Sequence, residues 1–281
     1  MADMTSAPAD PLEPVIEDRD PAGESRLRWV LPATVLIASL IAWEAYVRLS
    51  SVPPYILPAP SLIWQTLLTD WPVLGPSLLV TLTTTAKGLA LALVGGVGLA
   101  ILFAQSRLVE TAFYPFAVVL QVTPVLAIAP LLLIYLPQEA AVLAAAWIVA
   151  FFPILSNTTI GLRSADHNLL NLFDLYGATP WQKLWHLKLK AALPYFLGGL
   201  RIAGGLALIG AVVAEIAAGS SGAGSGLAYR IVESQVRLKI PRLFAALALL
   251  SAAGIVIFFL LSALSHLLLR RWHESAVKRE N

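Results

Sequence analysis

Lys87, Arg201 and Glu215 stand inside long apolar runs. A charge at the middle of a bilayer costs about 2.5–3.5 kcal/mol on insertion scales, so each needs a partner, water or an interfacial position. Arg201 lies near the start of its run, where its guanidinium can snorkel to the surface. Glu215 lies toward the far end of the same run, and Lys87 is well inside another. Either these two face a polar cavity along which a solute passes, with Lys87 placed to meet an anion, or they form ion pairs between helices. No pattern of catalysis accompanies them. His167, His186, His266 and His273 lack metal-ligand spacing, cysteine is absent, and no Ser–His or clustered His/Glu arrangement falls inside the runs. The glycine-serine stretch 219–226 lacks the Gly-Lys-Ser/Thr ending of a phosphate-binding loop, and no Walker-type loop occurs elsewhere.

The elements that carry these charges must be membrane helices. Hydrophobic residues make up 58% of the chain, charged residues 13%, and the mean hydropathy is +0.77. Six apolar runs, at 29–47, 77–103, 112–136, 140–160, 196–218 and 243–269, reach the length of roughly 20 residues that a spanning helix needs. They are too long and uniform for barrel strands, so the expected fold is all-α, with six transmembrane helices. Residues 1–28 are rich in Pro, Asp and Glu and read as a disordered tail. The run 29–47 reads as a retained helix, with a cleaved signal peptide as the alternative. A membrane domain then covers 29–271, and 272–281 form a second tail. Placing both termini in the cytoplasm puts twelve Lys and Arg residues inside and five outside. Four of those five, Arg230, Arg237, Lys239 and Arg242, cluster and are expected to mark an outer segment that meets another protein. The net charge of +2 gives no reason to expect a nucleic-acid partner.

The proline-dense stretch 50–76 excludes a continuous helix, apart from a short interfacial one at 61–69. The second run carries Gly88, Gly95, Gly96 and Gly98, whose missing side chains permit close helix approach in lipid. Its threonines, Thr81 to Thr85, are candidates for a pore lining. An inverted repeat is not evident, which argues against a self-contained secondary transporter.

The connection 163–194 is too polar for lipid and too rich in Trp, Leu and Tyr for a linker. Leu169, Leu172, Phe173 and Tyr176 recur at helical spacing, and Gly177 stops that helix. Thr179-Pro180-Trp181-Gln182 restarts one with an N-cap, a proline at the first helical position and a capping box. Pro194 is expected to end the segment before the fifth run. Such an amphipathic lever either lies on lipid headgroups or docks into a soluble partner.

The run Leu175-Tyr176-Gly177-Ala178-Thr179-Pro180-Trp181-Gln182, with Leu193-Pro194 and Gly198-Gly199-Leu200-Arg201-Ile202-Ala203 after it, resembles the cytoplasmic loop of binding-protein-dependent ABC importer permeases. Leu57-Pro58-Ala59-Pro60-Ser61, Pro124 to Leu131, Phe152 to Thr158, Ala214-Glu215 and Gly226-Leu227-Ala228-Tyr229 are similar to the nitrate, sulfonate and taurine branch, which includes permeases for pyrimidine vitamin precursors. The loop's usual Glu-Ala-Ala is Asn171-Leu172-Phe173 in this chain. The resemblance implies a type I ABC importer permease fold in a bacterial inner membrane. It implies a homodimer whose loops dock an ABC ATPase dimer and whose outer face receives a substrate-binding protein. Leu172, Phe173, Asp174, Leu175, Tyr176, Gly177, Ala178, Thr179 and Trp181 would form the docking loop. Lys87, Thr123 and Glu215 are the candidate pathway residues. ATP and Mg would be bound by the ATPase, with no cofactor or metal in this chain. The cargo would be a small anion or a pyrimidine precursor. The alternatives are a stand-alone secondary transporter or channel, and an intramembrane protease.

Overall fold

Backbone groups in hydrocarbon must be satisfied within their own segment, and the apolar runs accordingly fold as helices. In this computed structural model residues 21–219 and 224–270 are described, with side chains from Val30 onward. No strand occurs among them. The tails 1–20 and 271–281 and residues 220–223 lie outside the described residues.

The chain divides at Val52 into two units. The first holds one helix, α1 (Pro21–Leu49), with an Arg48–Glu44 ion pair at 2.5 Å one turn apart. The helix begins at Pro21, so the expected disordered tail does not extend to residue 28.

The second unit opens with α2 (Pro60–Thr69) and α3 (Trp71–Gln105). The short helix expected at 61–69 is therefore present. The long one starts earlier than 77, because Pro72 falls in the first turn, where no N–H is needed. The third apolar run is not one straight helix: α4 (Arg107–Val122) and α5 (Val125–Tyr135) meet at a bend of 102°. A proline disfavours helical geometry in the residue before it, and Thr123, preceding Pro124, is extended at φ −71°, ψ 122°.

Next come α6 (Gln138–Arg163) and α7 (His167–Leu175). Beyond Gly177 the chain runs as helix from Pro180 to Ala218, 39 residues, through α8 (Pro180–Lys183), a π-helical turn (Leu184–Lys188) and α9 (Leu189–Ala218). Pro194 does not end the segment, as the sequence leads one to expect; it sits inside α9. Close packing against α6 braces it: a Cβ on Gly161 would lie 2.8 Å from the Ala192 Cα, and the Ser164 hydroxyl donates to the Ala191 carbonyl at 3.4 Å. A short α10 (Leu227–Val236) and a long α11 (Ile240–Leu269) complete the unit. Among the described residues five helices are long and apolar enough to cross a membrane, or six if α4 and α5 together make one span.

Helix α6 lies between α3 and α9 and forms the centre of the unit. At Ala145 and Ala146, both fully buried, α3 and α9 both approach α6 closely. A Cβ on Gly88 of α3 would stand 2.7 Å from the Ala146 Cβ, and one on Gly210 of α9 would stand 2.8 Å from the Ala145 carbonyl oxygen. Further along, Gly96 faces Ile154, and Gly199 faces the Pro153 carbonyl and Asn157. Gly98 has nothing within 4 Å, so only some of the small residues of the second run serve close approach.

Neighbouring glycines give a controlled comparison. Gly199→Ala should cost about 1–3 kcal/mol, because its methyl would sit 2.8 Å from the Pro153 carbonyl oxygen. Gly198→Ala, with nothing within 4 Å, should leave the thermal unfolding temperature in detergent unchanged or slightly raised.

Candidate functional site

A buried carboxyl group, that of Glu215, lies 5% exposed near the end of α9. Its carboxyl oxygens accept from the Thr81 hydroxyl of α3 at 2.8 Å and from the Ala228 N–H of α10 at 3.1 Å. The Thr81 hydroxyl oxygen in turn accepts from the Leu227 N–H at 2.8 Å. The first N–H groups of any helix have no partner within it. In α10 the N-cap is Gly226, which has no side chain to offer, so α3 and α9 supply the cap. A Cβ on Gly226 would run into the Glu215 carboxyl group. This explains why Glu215 and Gly226 occur together: the site binds the start of α10 to two spanning helices.

The arginines of the 230–242 cluster are engaged nearby. Arg230 donates to the Ser77 hydroxyl at 3.0 Å and to Glu233 at 2.8 Å, and Arg237 pairs with Glu233 at 3.2 Å. Arg242 pairs with Asp70, between α2 and α3, at 2.5 Å. The hydrogen bond from Arg230, aided by the charges of Arg237 and Arg242, holds the Glu233 carboxyl below the ordinary glutamate range.

Thr81 and Thr85 are buried, while Thr83 is exposed. Thr83 and Thr84 border a cleft of about 570 Å³ with Lys87, Glu139 and Leu143. A smaller adjoining cleft, sharing Thr84 and Glu139, reaches Glu215 and Tyr229. Lys87 is exposed and makes no ion pair among the described residues. The structure thus brings Lys87 and Glu215 to neighbouring clefts. Thr123 borders neither; at the α4–α5 bend, its hydroxyl donates to the Val119 carbonyl at 2.6 Å. Arg201 lies with its guanidinium 5.9 Å from the centre of the Phe258 ring of α11, and its Nε is buried without a hydrogen bond. A cation–π contact, worth about 2 kcal/mol or more when desolvated, takes the place of a carboxylate partner.

The nine loop residues run from the last turn of α7, through the bend at Gly177, to the first turn of α8. Gly177 holds the left-handed φ of +65° that ends α7, and the Ala178 N–H donates to the Phe173 carbonyl at 2.9 Å. Thr179 caps α8, its hydroxyl accepting from the Gln182 N–H at 3.3 Å while the Gln182 side chain accepts from the Thr179 N–H at 2.7 Å. Asp174 pairs with Lys183 across the turn. Outside this frame stand Leu175 (85% exposed), Tyr176 (83%) and Trp181 (60%). A groove of about 380 Å³ runs between α7 and the restarted helix, bordered by Leu172, Phe173, Tyr176, Ala178, Gln182 and His186. Sequence spacing missed His186, which reaches this groove from the π turn.

Residues 92–274 match the family described as binding-protein-dependent transport system inner membrane component. The chain is 32% identical to a probable ABC transporter permease protein of Haemophilus influenzae, over 86% of this chain and 97% of the relative. It is 34% identical to the formylaminopyrimidine transport permease protein ThiX of Halalkalibacterium halodurans, over 85% and 94% respectively. It is 35% identical to the riboflavin transport system permease protein RibX of Chloroflexus aurantiacus, over 87% and 90%.

Thr81→Val keeps the shape of the site but strands the Leu227 N–H and one Glu215 hydrogen bond. It should destabilise the protein by about 1–3 kcal/mol in thermal unfolding, with Thr81→Ser near wild type. Acid should act on the ion pairs of Glu233. Unfolded glutamate titrates near pH 4.3, above the lowered folded value of Glu233, so the contribution of Glu233 is complete above that pH and fades as pH falls through the folded value. The difference in unfolding temperature between wild type and Glu233→Gln, measured at about pH 6, should shrink below about pH 4.

Proposed function

Because the chain belongs to the family of binding-protein-dependent transport system inner membrane components, a multi-pass ABC transporter permease family, we propose that its 163–194 connection is the handle by which a separate ATPase moves it. The observation that carries this reading is the exposed apolar turn around Gly177. A frame of one positive φ, one capping box and one ion pair holds Leu175, Tyr176 and Trp181 out in solvent. Large exposed apolar groups on a rigid frame mark a surface that a partner covers. In this reading the turn and both termini face the cytoplasm of a bacterial inner membrane. ATP and Mg are bound by a dimer of ATPase subunits, and two copies of this chain enclose the path. A substrate-binding protein delivers cargo to the outer face. ATP binding must favour one orientation of the helices over the other, since a ligand with equal affinity for both shifts nothing.

Likeness to permeases named for formylaminopyrimidine and riboflavin supports a small nitrogen heterocycle as cargo. A small anion is the second reading, favoured by exposed Lys87 beside the Thr83–Thr84 cleft.

Reconstitution in liposomes tests the proposal. Uptake should require an added ATPase and binding protein, whereas uptake by this chain alone would make it a secondary transporter or channel. Leu175→Asp should lower ATP-driven uptake about tenfold or more without altering thermal unfolding, because Leu175 is 85% exposed.

A further inference from the structure

A second cleft, of about 710 Å³, opens beside the 163–194 connection and is distinct from the groove around Tyr176. Arg107 at the start of α4, His167 at the start of α7 and Lys188 at the end of the π turn border it together. Arg163 and Glu110 also border it, paired with one another across α6 and α4. Three full positive charges, on Arg107, Arg163 and Lys188, therefore meet one carboxylate, Glu110, which Arg163 already engages, so two are left unanswered. Arg107, His167 and Lys188 make no ion pair among the described residues. Cations brought to one space without a counter-charge repel, and an anion placed between them removes that cost.

We propose that this cleft binds the phosphate of an anionic lipid headgroup. Its position agrees: Gln105 and Arg163, which both border it, are the last residues of two helices long enough to span a bilayer. Such helix ends lie at headgroup depth, where basic pockets between spanning helices take anionic lipids. Its composition also agrees. Ala104 and Leu170, both half-buried, form an apolar wall beside the cationic rim. A soluble phosphate would gain nothing from that wall, whereas an acyl chain would lie along it.

Native mass spectrometry of the full-length protein in non-ionic detergent, titrated with phosphatidylglycerol, tests the assignment. Wild type should retain phosphatidylglycerol about tenfold or more over phosphatidylcholine. Arg107→Gln with Lys188→Gln should abolish that preference. The conservative pair Arg107→Lys with Lys188→Arg should keep it, which separates lost charge from lost fold. Removing two cations elsewhere, with Arg237→Gln and Lys239→Gln, should change nothing. Equal retention of the two lipids by wild type, unchanged retention in the Gln pair, or an equal loss in the Arg237/Lys239 control would overturn the proposal. Glycerol 3-phosphate at equal concentration should leave the lipid in place; if it displaces the lipid, the site belongs to a soluble phosphate and the lipid assignment falls.

Discussion

Cohesion in this protein depends on how closely α6 can be approached. Between helices in hydrocarbon there is no water to expel, so attraction comes from contact of backbones and small side chains. Ala145 and Ala146 present a nearly bare backbone to Gly88 on one side and Gly210 on the other. That contact fixes the spacing of α3 and α9. The spacing in turn decides whether Thr81 of α3 and Glu215 of α9 can meet over the first turn of α10. The seating of α10 is thus set by helix contacts elsewhere in the bundle.

Polar groups in the spanning helices divide into those consumed by structure and those left over. Glu215 and Thr81 are consumed: their hydrogen-bonding capacity goes to a helix end that its own N-cap glycine cannot serve. Arg201 is partly consumed by an aromatic face. Lys87, exposed beside threonines and Glu139, is left over, and a solute path needs groups of that kind. The two charges singled out in the sequence as equal candidates therefore differ in kind, and only the three-dimensional neighbours separate them.

Helix content and the Gly177 turn were legible in the sequence because each depends on local chemistry: apolar length, a glycine at positive φ, and a Thr-Pro-Trp-Gln cap. Proline misled in both directions. Pro194 and Pro76 look like breaks but lie inside helices, since packing outweighs one missing hydrogen bond. Pro124 looks like part of a span, yet a bend of 102° forms there. The Thr81–Glu215 bond joins residues 134 apart in sequence, and no spacing rule finds it. The cationic cleft was illegible for the same reason: Arg107, His167 and Lys188 belong to three different helical segments.

The uninterrupted helix from Pro180 to Ala218 has a mechanical corollary. At about 1.5 Å per residue its 39 residues make a rod of roughly 58 Å. One end carries Trp181 of the exposed turn, and the other carries the carboxyl group that secures α10. A torque applied at the first end reaches the second without crossing a hinge loop, and the softer stretches on the way are the π turn at Leu184–Lys188 and the missing backbone hydrogen bond at Pro194. Tilting the rod by a few degrees would move Glu215 relative to Thr81 by a distance comparable to a hydrogen bond, enough to release the start of α10.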